Sequence, residues 1–136
     1  MSFIADKLAL ARRQLDSART NMARNDLETA ANRAFLAAEN AAAAAIAKSG
    51  RRAASVHSQV RTDFEELCDK GAILDRLRNL LADSYRFRLK ADYGRRMHSG
   101  QTIPELTTKT VRSVIDRVAD LIDTVTKMPR TRVTKT

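Results

Sequence analysis

Apolar side chains return at steps of three and four residues along almost the whole chain, and that spacing leaves helix as the regular structure most of it can form. Ile4, Leu8, Ala11, Leu15, Ala18 and Met22 make one stripe, and Leu27, Ala31, Ala34, Ala38, Ala41 and Ala45 a second. Val56, Val60, Phe64 and Leu67 give a third, and Val111, Val114, Ile115, Val118, Leu121, Ile122 and Val125 a last. Residues at these intervals share one face of a helix, whereas a half-buried strand needs strict alternation. The punctuation of a sheet protein is also scarce, with 4 Gly and 2 Pro in 136 residues, so turns must be few and the elements long.

The stripes and their flanking residues predict about five helices. The first spans Ser2 to Ala23, and Asn25 followed by Glu28 three residues on has the form of a capping box that opens the second. Helix two runs from Asp26 to Lys48 and is stopped by Gly50; its face is built mainly of alanine, which suits close packing inside the core better than a subunit interface. Helix three begins near Val56 and stops at Lys70 and Gly71. Ile73, Leu74, Leu77, Leu80 and Leu81 open a fourth helix that continues through Tyr85 and Arg88 to Asp92. After a polar loop from Gly94 to Thr102, Pro104 suits the first turn of helix five, where a missing N–H costs nothing. The expected fold is an all-α domain of about five helices filling residues 1–127, followed by a basic, mobile tail over residues 128–136.

Hydrophobic residues at 43% and charged residues at 30% give enough apolar surface for one folded domain. No run approaches the roughly 20 apolar residues of a membrane span, and the first residues lack the uninterrupted apolar core of a signal peptide. Cys68 is the only cysteine, so no intrachain disulfide forms and a cytoplasmic protein is expected. Beside Leu67 and one turn from Phe64, it reads as a small buried hydrophobe. With His57 and His98 far apart in sequence, no metal-ligand cluster is present, and glycines 50, 71, 94 and 100 stand singly, so there is no phosphate-cradling loop. Neither a metal nor a cofactor is implied.

Charge is the feature that points to a partner. The net charge is +9, and it is uneven: residues 1–68 hold 10 basic and 8 acidic side chains, residues 69–136 hold 15 and 8. A one-sided positive field favours polyanions, nucleic acid above all. Its centre is the stretch with Arg76, Arg78, Arg86, Arg88, Lys90, Arg95 and Arg96 against Asp83 and Asp92. Guanidinium forks match pairs of phosphate oxygens. Tyr85, Phe87 and Tyr93, interleaved with them, are candidates for base stacking or for the core.

One string in helix two, Asn32-Arg33-Ala34-Phe35-Leu36-Ala37-Ala38, resembles the Asn-Arg-Ala-aromatic-aromatic-Ala-Ala stretch of small prokaryotic HEPN proteins. It is followed in order by Val56-His57-Ser58-Gln59-Val60, by the leucine-rich opening of helix four and by Arg88-Leu89-Lys90-Ala91-Asp92-Tyr93-Gly94, similar to that family's Arg-x-x-Ala-Asp-Tyr signature. The resemblance runs from about Leu8 to Val125. It implies an up-and-down helical bundle that usually dimerises, with a basic cleft where helices two and four of both copies meet. In that cleft Asn32, Arg33, Arg86, Lys90, Arg95 and Arg96 are the expected nucleotide or RNA contacts, and Arg88, Asp92 and Tyr93 the candidate catalytic groups.

Ribonuclease members of the family carry an Arg followed after four to six residues by a His. Arg88 is followed instead by Asp92 and Tyr93, with His98 lying beyond Gly94; Arg52 and His57 match the spacing formally, but at the entry to helix three. The family further implies a minimal nucleotidyltransferase as partner in a toxin-antitoxin or defence module, and a tyrosine such as Tyr93 as a target for nucleotide addition. A metal-independent endoribonuclease and a non-catalytic adaptor are the alternatives.

Overall fold

The computed structural model describes residues 2–51, 57–71, 75–93 and 106–131, with the backbone alone for residues 57, 58 and 90–93. Its elements are α1 (Phe3–Ala23), α2 (Leu27–Lys48), α3 (His57–Asp69), a short 3₁₀ turn (Asp75–Leu77), α4 (Leu80–Tyr93) and α5 (Thr108–Lys127). Among the described residues there is no strand, as the helical periodicity demands.

The central rod is α2, which packs against each of the other four helices; α1 and α4 also touch α5. Alanine makes this arrangement feasible. Ala30, Ala34, Ala37, Ala38, Ala41, Ala42, Ala44 and Ala45 are all fully buried, and around them close Leu8, Leu15, Phe64, Leu77, Leu80, Val118 and Leu121. A methyl group at the contact lets neighbouring backbones approach from several sides, and the high helix propensity of alanine offsets its small hydrophobic contribution. The alanine face is thus consumed inside the protomer. The α5 stripe is buried in full, from Val111 to Val125.

The junction of α1 and α2 differs from the expected capping box. Asn25 is in the left-handed region, with φ of 62°, and ends α1: its N–H donates to the Met22 carbonyl, and the Asp26 N–H to that of Asn21. This Schellman pattern needs a residue tolerant of positive φ, and asparagine is the usual choice after glycine. Asp26 is the N-cap of α2 and accepts from the Thr29 N–H at 3.2 Å. At the other end of α2, Gly50 with φ of 86° completes the same pattern, giving its N–H to Ala47 while Arg51 bonds Ile46.

Two further expectations are corrected. The fourth helix does not run unbroken from the Ile73 region: Arg78 closes a 3₁₀ turn on the Asp75 carbonyl, and the Asn79 carbonyl accepts the Asp83 N–H in the first turn of α4. The tight turn sinks Leu77 into the core while Arg78 pairs with Asp69 and Asp75. Helix five begins at Thr108, not at Pro104. Thr107 is its N-cap, in reciprocal hydrogen bonds with Thr110. Pro104, Ile73 and Leu74 themselves lie outside the described residues, as does the tail beyond Thr131.

Polar ties fix the rods end to end. Lys48 at the close of α2 donates to the carbonyls of Val125, Thr126 and Met128 at 2.7, 3.1 and 2.9 Å, capping α5. The Thr131 N–H then returns to the Lys48 carbonyl at 2.7 Å. Arg51 holds α3 through Glu66 at 2.7 Å, a bond that raises the pKa of its guanidinium further.

Candidate nucleic-acid interface

The described cations of the sequence cluster, Arg76, Arg78, Arg86 and Arg88, are dispersed by the fold. Arg76 is clamped to Asp120, its Nε and Nη2 donating at 2.8 and 3.0 Å, and Arg78 is held by Asp69. Both therefore join elements. Arg86 and Arg88 are two residues apart on α4, so they project to different sides of the rod.

Arg86 is exposed and lies 4.0 Å from Asp83, which also binds Arg117 of α5 at 3.0 Å. Together with Phe87, Lys109, Thr110, Ser113 and Val114 they line an open groove of about 520 Å³ between α4 and α5. Phe87 is half-buried and packs on the core.

Arg88 turns to the opposite side, toward α2. Its guanidinium carbon stands 5.1 Å from the centre of the Phe35 ring, and its Nε is buried. Phe35 is itself buried and meets Tyr85 at 5.6 Å between centroids with the planes tilted by 54°. A cation over the negative face of a ring is attracted by its quadrupole, and the stack removes rotamer freedom from the arginine before any ligand arrives. Asn32 is one turn before Phe35 on the same face of α2; its Oδ1 is buried without a hydrogen-bond partner among the described residues. An amide oxygen in that state costs free energy unless a donor reaches it.

The pattern in α2 accounts for this junction. Asn32, Phe35 and Glu39 recur at steps of three and four, beside the alanine stripe, so they form a second face directed away from the core proper. Arg33 is one residue round the helix, exposed, and makes no ion pair with a described residue. On α4, position 92 shares the Arg88 side and position 90 the Arg86 side by helical register, and α4 ends at Tyr93; Arg95, Arg96 and His98 lie outside the described residues. The fold therefore brings Arg88 to the side of α2 that carries Asn32, and it separates Arg86 from both.

One member of the cluster was not legible as such in the sequence. Arg61 of α3 places its guanidinium carbon 5.9 Å from the Tyr85 ring centre. No local pattern pairs positions 61 and 85; only the packing of α3 and α4 around α2 does. Cys68, by contrast, is 4% exposed, and burial raises the pKa of its thiol, which disfavours the reactive thiolate. Among the described residues no group of His, Cys, Asp or Glu side chains is placed to hold a metal ion, and no helix is long and apolar enough to cross a membrane.

The described residues thus form an alanine-cored helical bundle with an arginine held over an aromatic ring between its second and fourth helices. The family model described as HEPN domain matches residues 5–128, and the chain belongs to that family. No curated protein matches it at a significant level.

Proposed function

We propose that this HEPN-domain protein binds RNA or a nucleotide at the junction of α2 and α4, in a basic cleft shared by two copies of the chain, and works with a minimal nucleotidyltransferase in a toxin-antitoxin or defence-type module. The observation that carries the binding part is Arg88, fixed over Phe35 beside a buried amide oxygen of Asn32. A guanidinium so constrained loses little further entropy when it binds phosphate. The Asn32 amide oxygen has no donor among the described residues, and a ribose 2′-hydroxyl that reaches it would supply one that a deoxyribose lacks. Arg33, Lys90, Arg95 and Arg96 add long-range attraction in this reading, Lys90 from the Arg86 side of α4. Dimerisation and the nucleotidyltransferase partner rest on family membership.

Co-expression with a nucleotidyltransferase encoded beside this protein, followed by purification through a tag on one of them, tests the partnership. A stable complex is expected; a lone monomer that ignores the enzyme contradicts it. The same site supports a second reading as a metal-independent ribonuclease, because Arg88 and position 92 share one side of α4, with Asp92 or Tyr93 acting in place of histidine. In that case purified protein cuts RNA in the presence of a chelator and Arg88→Ala abolishes the cut. Retention of cleavage in that variant removes these residues from the chemistry. If neither nucleic acid nor nucleotide binds at low salt, the chain is an adaptor.

A further inference from the structure

We infer that Arg61 is a second phosphate-binding cation of the α2–α4 site, so that the site takes a polynucleotide strand in preference to a mononucleotide. The inference rests on the RNA-binding reading of Arg88 and adds to it a residue from a third helix.

Four side chains form a continuous series: Arg61 over Tyr85 at 5.9 Å, Tyr85 against Phe35 at 5.6 Å, and Arg88 over Phe35 at 5.1 Å. Each guanidinium has its own ring as a support, and the two rings hold the charges on separate platforms. Two like charges on neighbouring platforms repel, and the fold retains them without neutralising Arg61. It is half-buried and makes no ion pair with a described residue. The acids of α3 are directed elsewhere: Asp63 and Glu66 to Arg51, Asp69 to Arg78. Glu65, one turn on from Arg61, forms no ion pair with it, and Glu39 brings a single negative charge to the neighbouring face of α2. The Tyr85 ring face also attracts the Arg61 guanidinium and so holds it on this side of α4.

A ligand that satisfies both guanidinium groups carries at least two separated anionic groups joined by a linker. A sugar-phosphate backbone has that form, and phosphates along one strand supply it without any base-specific contact. Tyr85 is covered by Arg61 on one side and meets Phe35 on another, so it serves as a support for the cation. Its role is thus to position Arg61, and base stacking falls to other residues.

The test compares a labelled single-stranded RNA oligomer with a nucleoside monophosphate, using full-length wild-type protein and the Arg61→Ala, Arg61→Lys and Arg88→Ala variants, between about 50 and about 200 mM salt. Arg61→Ala is expected to bind the oligomer roughly tenfold more weakly and to flatten the slope of log affinity against log salt by about 0.7. It leaves monophosphate affinity unchanged, whereas Arg88→Ala weakens both ligands. Arg61→Lys keeps the slope, since the charge remains, and separates a lost phosphate contact from damage to the helix packing. Oligomer affinity and slope equal to wild type in Arg61→Ala, with Arg88→Ala still defective, overturn the role of Arg61 alone. Absence of oligomer binding by the wild type overturns the reading beneath it as well.

Discussion

Several single side chains decide how this protein behaves, and each has its own test. Cys68 is enclosed by the core cluster, where an ionised thiol has no solvation and its pKa is accordingly raised. A thiol reagent such as an aromatic disulfide should label it only on the timescale of unfolding; rapid labelling of the native protein at neutral pH would contradict this burial. Asp26 is the opposite case, an exposed carboxylate whose pKa is lowered from 3.8 by the Thr29 hydroxyl first and the Thr29 N–H second. A carboxylate with a depressed folded-state pKa stabilises the fold above its unfolded value and loses that contribution as pH falls through the folded one. Asp26→Ala should therefore be less stable than wild type at neutral pH, and the gap should begin to narrow below 3.8 and go on narrowing as pH falls through the lower folded-state value. A gap of the same size in strong acid as at neutral pH would mean that the charge of the cap is irrelevant.

Among the elements, α2 bears the most constraint. Ala41 and Ala45 are fully buried where other helices approach, so no cavity is available for extra methylene groups. Ala41→Leu is predicted to lower stability by about 1–3 kcal/mol, the range for overpacking a close contact, as read by urea unfolding; a neutral result would show that the helices can slide apart freely. Lys48 ties the same helix to the end of α5 through three carbonyls. Lys48→Met keeps the aliphatic stem and removes the donors, and a loss of about 1–2 kcal/mol is expected after discounting for partial exposure. The helices themselves were largely legible in the sequence, because 3.6-residue periodicity is a local property and the stripes of α1, α2 and α5 are unambiguous. The boundaries were less so. Asn25 fits either an N-cap or a left-handed helix end, and only the placement of Asp26 decides between them. The break between Leu77 and Leu80 is invisible to periodicity, since leucines at 77, 80 and 81 satisfy a helix and a 3₁₀ turn equally.

For the molecule as a whole, charge in sequence and charge in space proved different. Arg76, Arg78, Arg86 and Arg88 count alike in composition, yet Arg76 and Arg78 are spent on joining elements, Arg86 faces α5, and Arg88 alone of these reaches α2. The step of two between Arg86 and Arg88 already contained that separation, because alternate residues on a helix diverge by more than a right angle. The contribution of Arg61 was not available from any window of sequence, since it comes from a helix whose docking depends on the alanine face of α2. What unites these observations is a bundle that buries its smallest residues at the centre and thereby brings an arginine, two rings and an amide from separate helices to one side of the central rod. The most direct test is titration of a fluorescent single-stranded RNA with wild-type and Arg88→Ala protein at low ionic strength, with helical circular dichroism as the control for folding. Saturable binding that falls steeply with salt and weakens at least tenfold in a still-folded Arg88→Ala variant is the predicted result; equal affinity in the two proteins would contradict the proposed site.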